Sequence, residues 1–372
     1  MGQGALLARF DAKAARVAIS FATSSAKPKG DIKICRAVLI STFADGVNFS
    51  CTDLNRVTAA TVQSEIESEG SLCAPADDVQ RFLGRIDGEV EMRQEGGRLH
   101  IICGSARCDL PTAKPDAFPL LEVKSAGQVF DDMPSKEIQR ALRSVKHSAA
   151  PKNDAREILK SIFFDNEGDT SFVIAMCEHR GAVYDLCRKL NLPNFMISKD
   201  TLNALSSLLY GTETVTIRTD GSLAKFSAVN KDPLSVREIT TSLIGGQYVN
   251  WRHVASKPSG ENRFYPEADG LKKAVSAVSA LQPTGKSQAV RITLNGSGVE
   301  LALSENHRAN AENYFACDIE GQGHVGLNPD YVLDALNQID GEAEISFSNE
   351  NETVQITSPG SPLRQFIQPR RA

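Results

Sequence analysis

The chain has 372 residues, 41% of them hydrophobic and 23% charged, a composition that allows several packed cores and excludes a disordered or low-complexity polypeptide. Its formal net charge of -5 excludes a protein that coats nucleic acid with its whole surface, but leaves room for a local basic face. Residues 1–9 hold no apolar run of signal-peptide length, and no stretch reaches the roughly 18 apolar residues that a membrane span needs, so the expected location is the cytoplasm.

Taken in chain order, apolar residues at helical spacing behind a proline or a capping residue predict six helices. They run from Asp11 to Thr23, from Asp77 to Ile86 after Pro75, from Ser135 to Ser148 after Pro134, from Lys199 to Tyr210 after Ser198, from Ala268 to Leu281 after Pro266, and from Asp330 to Ile339. Pro134 and Pro329 stand where a first turn tolerates proline, and Ser198 and Asn328 are natural N-caps. Between the helices, alternating segments are joined by turn residues, the pattern of antiparallel sheet rather than of parallel βαβ units. Examples are 38–40 and 47–51 around Asp45-Gly46, 89–93 and 99–103 around Glu95-Gly96-Gly97, and 290–294 and 299–303 around Asn295-Gly296.

One phrase recurs: the end of a helix, a glycine, then a strand. It reads Arg85-Ile86-Asp87-Gly88-Glu89-Val90, then Leu208-Leu209-Tyr210-Gly211-Thr212-Glu213, then Gln338-Ile339-Asp340-Gly341-Glu342-Ala343, at a spacing of roughly 125 residues. That period implies three similar domains in tandem. Linker signals at Pro111 to Gln128 and Gly245 to Glu261 agree, each carrying an early aromatic, Phe118 or Tyr248, able to anchor the chain before it crosses. The expected architecture is α+β, three tandem domains of two helices packed on antiparallel sheets, with bounds 1–126, 127–254 and 255–372.

The helices hold many of the cations of this acidic chain: Lys13 and Arg16 in the first, Arg81 and Arg85 in the second, Lys136, Arg140, Arg143 and Lys146 in the third, Lys199 in the fourth, Lys272 and Lys273 in the fifth. Lys136, Arg140 and Arg143 follow i, i+4, i+7 spacing opposite Ile138, Leu142 and Val145. One such stripe is ordinarily a solvated face. Repetition over five of six helices suggests a surface reserved for a polyanion, with duplex DNA the obvious candidate.

Several stretches, in this order and spacing, carry a resemblance over the whole chain. They are Cys51-Thr52-Asp53-Leu54, Arg156-Glu157-Ile158-Leu159 leading to Phe163-Phe164, Glu178-His179-Arg180, the run 246–254 (GQYVNWRHV), Tyr331 to Asn337 (YVLDALN) and the tail 366–372 (FIQPRRA). With them the chain resembles the bacterial DNA polymerase III beta sliding clamp family. The resemblance implies copies of a DNA-clamp domain, a head-to-tail homodimeric ring with helices lining the hole, and a non-catalytic role: the ring tethers the replicative polymerase and other factors to double-stranded DNA without reading its sequence, and so confers processivity. The cations assigned to the hole are then Lys13, Arg16, Lys27, Arg81, Arg85, Lys136, Arg140, Arg143, Lys152, Lys199, Lys272 and Lys273.

The same resemblance implies a groove where the polymerase and the clamp loader bind through short linear peptide motifs, lined here by Leu159, Met176, His179, Arg180, Gly181, Val249, His253, Val254, Phe366, Gln368, Pro369 and Arg371. The family turn usually reads Thr-Asp-Gly-His-Arg-Leu, whereas this chain has Met176-Cys177-Glu178-His179-Arg180-Gly181; with Arg370 and Ala372 in the tail, this implies an altered partner peptide. The subunit contact would place Cys108 and Leu110 against Ala280 and Leu281, smaller than the family's residues, and at about 25 cal/mol per Å² of buried apolar area the dimer would be weaker. A monomeric, non-encircling peptide-binding adaptor is therefore the alternative function.

No cofactor or metal is expected. The eight cysteines read as reduced core thiols, and no CxxC or nearby histidine pair completes a ligand set around Cys103 and Cys108. Gly321-Gln322-Gly323-His324-Val325-Gly326 matches GxGxxG, but lacks the βαβ context of a dinucleotide site. Gly285-Lys286-Ser287 lacks the strand and the first glycine of a phosphate loop. Cys177 and His179 could form a nucleophile and base, yet no third orienting group is evident and the turn has its family explanation.

Overall fold

The computed structural model describes residues 6–26, 32–43, 46–124, 128–255, 260–281, 288–303 and 311–371. Among them are seven α-helices: α1 (Ala12–Ala22), α2 (Ala76–Leu83), α3 (Ser135–Val145), α4 (Leu202–Leu209), α5 (Trp251–Ala255), α6 (Ala268–Ser279) and α7 (Pro329–Leu336). Six are those the periodicity predicts. The fourth starts later than expected, because Lys199–Thr201 forms a 3-10 turn before it. The helix α5 was read as linker; five residues are too short to display a helical period. Side chains satisfy exposed N–H groups at several starts, Asp11 accepting from Ala14 N at 2.9 Å, Ser198 from Asp200 N at 3.3 Å and Asn328 from Asp330 N at 3.0 Å.

The chain forms two compact units, residues 1–139 with 191–244 and residues 140–190 with 245–372, so the middle third contributes to both. In the first unit, a five-stranded sheet runs Glu65–Ser68, Leu7–Asp11, Glu89–Glu95, Arg98–Cys103, Ala106–Pro111. An eight-stranded sheet runs Gln128–Pro134, Thr214–Thr219, Leu223–Lys231, Leu234–Ser242, Arg56–Gln63, Gly46–Thr52, Ala37–Phe43, Ser71–Pro75. The seam between early and middle sequence is the antiparallel pair of Arg56–Gln63 with Leu234–Ser242, in register from Ser235↔Val62 to Thr241↔Arg56. In the second unit, Arg180–Asp185 pairs with Leu363–Ile367, from Arg180↔Ile367 to Tyr184↔Leu363, and joins middle to late sequence in the same way. A four-stranded sheet there runs Glu312–Ala316, Gly298–Leu303, Val290–Asn295, His324–Leu327.

The recurring glycine has a conformational reason. Gly88, Gly211 and Gly341 have φ of 105°, 76° and 85°, in the region where a side chain is strained. The carbonyl of Gly88 accepts from Ala12 N and that of Gly341 from Ala268 N, both at 2.8 Å; in the middle copy Ser135 N donates to Glu213 O at 2.9 Å. Each phrase therefore reaches back to satisfy the start of the preceding helix of its repeat. α1 packs on α2, and α6 on α7. In the last repeat Leu271, Val275 and Val278 of α6 meet Val332 and Leu336 of α7 over Phe264, Ile345 and Phe347.

Gly321 lies at a turn, φ 81°, between strands of two different antiparallel sheets, and Gln322 N donates to the Asn262 side chain at 3.0 Å, a structural use of the GxGxxG match. Gly285-Lys286-Ser287 lies outside the described residues. The thiol reading needs correction: Cys35, Cys51 and Cys73 are buried, but Cys103, Cys108, Cys177 and Cys317 are half-buried and Cys187 is exposed at a turn with φ 51°. Alternation along a strand hides a residue only where that face is covered, and Cys187 follows a strand rather than lying in one.

Two outcomes follow for stability. Gly341→Val is expected to lower unfolding free energy by about 1–3 kcal/mol through backbone strain, whereas Gly245→Ala, at an exposed site with space for a Cβ, should change little; urea titration of both variants checks this. Burial pushes the Cys73 thiol up to about 11. A protonated native thiol against an ionising unfolded one makes this contribution complete below about pH 9 and progressively lost between about pH 9 and 11. Urea midpoints under reducing conditions should fall over that window, and less so for Cys73→Ala.

Candidate partner groove and nucleic-acid interface

Every predicted groove residue lies in the second unit. The hairpin Phe172–Met176 and Arg180–Asp185 turns at residues 177–179, closed by Cys177 N donating to Arg180 O at 2.9 Å. The C-terminal strand lies beside it, with Gly181↔Phe366, and the tail is tied down by Gln368 N donating to His179 O at 2.8 Å and by the Gln368 amide donating to Thr353 Oγ1 at 2.7 Å. Gly181 faces Met176 across the hairpin; a Cβ there would fall 2.6 Å from Met176 Cε. The altered residue therefore accommodates the methionine. Leu159, Met176 and Phe366 are buried, Val254, Gln368 and Pro369 half-buried, and Val249, His253, His179 and Arg371 exposed.

Charge at the turn is organised locally. Arg180 donates to Asp334 of α7 at 2.6 Å and lies 4.3 Å over the Tyr331 ring, so its guanidinium is oriented from two sides. Glu178 stays exposed and pairs with Arg156 at 3.2 Å, and Arg156 also holds Asp154 at 3.0 Å, keeping the Asp154 carboxyl at about 2. Cys177 and His179 share the turn, the thiol half-buried and the imidazole exposed.

Tyr248 is the linker anchor that the sequence suggests; what sequence reasoning missed is its partners and the second anchor, Asp165, behind the groove. Tyr248 stacks on Phe163 at 4.6 Å, and its hydroxyl accepts from Met176 N at 2.9 Å. Three residues on, Trp251 Nε1 donates to Asp165 Oδ2 at 2.6 Å, and Arg252 donates to the same oxygen at 2.6 Å while lying 4.7 Å over the indole. The Asp165 side chain is 1% exposed. These contacts fix the segment that presents Val249, His253 and Val254. The lone tryptophan beside a linker was the available signal; its partner Asp165 lies 86 residues away and no local pattern could reveal it.

The helix cations divide. Lys136, Arg140 and Arg143 are all exposed on α3, while Ile138, Leu142 and Val145 are buried, as the spacing predicts. Arg85, Lys152 and Lys273 are also exposed. Lys13 approaches Asp232 at 3.7 Å, Arg81 pairs with Asp78 at 2.5 Å, Lys272 with Asp269 at 2.5 Å, and Lys199 is half-buried. Arg16 departs from its expected place among the outward cations: it donates to Leu83 O at 3.4 Å, at the carbonyl end of α2, and just beyond that end to Ile86 O at 2.6 Å and Asp87 at 2.7 Å. Lys27 lies outside the described residues. Arg237, unremarked in the sequence, serves α4 in the same way through Ser207 O and Tyr210 O.

At the expected subunit contact, Ala280 and Leu281 are exposed and Cys108 is half-buried, but Leu110 is 8% exposed and packs inward. Strand alternation turns Leu110 into its own core, so it offers a partner little area. Ala106–Pro111 is an edge strand of the five-stranded sheet.

Family models match both ends of the chain. The DNA polymerase III beta subunit N-terminal domain matches residues 16–122 and its C-terminal domain residues 260–369, together more than half of the chain. The beta sliding clamp of Caulobacter vibrioides is 21% identical over 365 residues, covering 94% of this chain and 95% of that protein; that of Streptomyces coelicolor is 22% identical over 350, covering 91% and 90%. A crystal structure of the Pseudomonas aeruginosa sliding clamp superposes with a TM-score of 0.90 at 18% identity, over 99% of this chain and 100% of that one. The fold is that of a sliding clamp, and the chain belongs to the DNA polymerase III beta subunit family. Its function is that of the family, a DNA sliding clamp and non-catalytic processivity subunit.

Asp165→Leu leaves the buried indole N–H and Arg252 without their acceptor, and is expected to cost about 1–3 kcal/mol. Thermal unfolding checks the cost, and hydrogen exchange at residues 249–254 should rise more than elsewhere.

Proposed function

We propose that this protein acts as a homodimer, two copies head to tail closing a ring of three clamp domains each (1–126, 127–254, 255–372) around duplex DNA. The observation that carries the reading is the α3 stripe: three exposed cations opposite a buried apolar face, in a chain whose net charge is negative. A ring needs no tight grip, since topology prevents escape; loose contacts between helix cations and phosphates allow sliding without base readout. A polymerase tethered to the ring meets the primer end at raised effective concentration. Lys13, Arg81, Arg85, Lys136, Arg140, Arg143, Lys152, Lys199, Lys272 and Lys273 are the cations proposed to face the hole.

The groove around Met176 and Gly181 takes short linear peptides of the polymerase and of a loader that opens the ring. Leu159, Met176 and Phe366 form the apolar floor, while Arg180, fixed by Asp334 and Tyr331, presents donors to the peptide backbone. Glu178, exposed at the turn, supports a partner sequence different from that of relatives with glycine there.

Changing Lys136, Arg140 and Arg143 together to Glu is expected to shorten retention on nicked circular DNA by roughly tenfold, and to reduce the magnitude of the salt slope of binding by about 2–3 per protomer. Unchanged retention would remove the stripe from the hole. Analytical ultracentrifugation at micromolar concentration should find dimers; a strictly monomeric species would favour the non-encircling adaptor instead.

A further inference from the structure

The groove in the second unit has an internal counterpart in the first. At the second seam, a tight turn closed by Cys177 N to Arg180 O leads into a strand whose Gly181 pairs with Phe366. At the first seam, a turn closed by Asp53 N to Arg56 O at 3.1 Å leads into a strand whose Val57 pairs with Thr240. Each seam is also flanked by a linker aromatic that is buried, Tyr248 at 8% and Phe118 at 6%. The two places are therefore copies in backbone register, turn and linker anchor.

The first-seam copy is open. A cavity of about 560 Å³ lies between one face of the eight-stranded sheet and the linker around Phe118. Its wall sets the apolar side chains of Leu39, Val57 and Leu121 among the polar ones of Ser41, Asn48, Ser50 and Thr240, and its mouth carries Phe43 and Leu120, 49% and 54% exposed. Exposed aromatic and leucine side chains beside a concave wall are the features that peptide sites use. The one lysine in the lining, Lys225, is neutralised by Glu238 at 2.7 Å. Asp116 and Glu122 on the linker are exposed carboxylates at the rim. The remaining charge is negative.

We propose that the first-seam groove is a second peptide-binding site, taking short linear segments that combine two or more apolar side chains with a lysine or arginine. The apolar residues would enter beside Val57 and Phe118, and the cation would meet Asp116 or Glu122. Likeness to the partner groove motivates the idea, but the cavity and its charge stand independently of that assignment.

The test uses the full-length protein and a fluorescein-labelled Leu-Lys-Leu peptide ending in benzoylphenylalanine, with crosslinked sites mapped by mass spectrometry. Crosslinks are expected within residues 39–59 or 115–122. Replacing the probe's lysine by glutamate should lower their yield at least fivefold, as should Phe43→Lys with Leu120→Lys, two exposed positions whose change leaves the core intact. Absence of crosslinks at the first seam, whether or not residues 159–181 are labelled, overturns the proposal, as does first-seam labelling insensitive to both changes. Labelling at the first seam alone would support it while removing the partner-groove assignment.

Discussion

Backbone pairing across two seams is the constraint on which the remaining structure depends. Arg56–Gln63 with Leu234–Ser242, and Arg180–Asp185 with Leu363–Ile367, carry hydrogen-bonded ladders between segments more than 170 residues apart in sequence. Register in such a ladder is strict, because a slip by one residue would move every side chain to the opposite face of the sheet. It fixes which turn lies beside which linker, and hence places Met176, Gly181 and Phe366 together in the one unit and Val57 and Thr240 together in the other. Both proposed grooves rest on these pairings.

The electrostatics follow a division of labour among cations. Arg16 and Arg237 meet helix carbonyl ends, where unpaired C=O groups and the helix dipole favour positive charge. Lys136, Arg140 and Arg143 point outward from α3. An acidic protein can thus present a basic surface locally without becoming a general binder of nucleic acid, which suits a clamp whose useful state is mobile. Exposed ion pairs such as Arg81 with Asp78 add little stability and are screened by salt.

Preorganisation separates the proposed partner groove from a simple surface depression. Tyr248, Trp251 and Arg252 are held by Phe163, the Met176 amide and the buried Asp165 carboxylate. A segment fixed before binding loses less entropy when a peptide arrives, so affinity can rest on a few apolar contacts. Arg180, stacked on Tyr331 and paired with Asp334, is fixed for the same reason.

Much of this was legible in the chain itself. Six helices, the antiparallel hairpins and the α3 stripe follow from periodicity, and the thrice-repeated glycine follows from a left-handed backbone that only glycine adopts without strain. These are local properties, encoded within a few turns or one hairpin. The short helix α5, the engagement of Arg16, the inward turn of Leu110 and the Asp165 anchor were not legible, nor was the sharing of the middle third between two units. The helix α5 is too short to show a period and Leu110 turns inward by strand alternation, whereas the others depend on partners far along the chain, and distance in sequence carries no record of proximity in space. The sequence by itself determined the repeating elements and the family; only the tertiary structure decided which residues share a groove, because long-range strand pairing and burial, not local propensity, bring those side chains together.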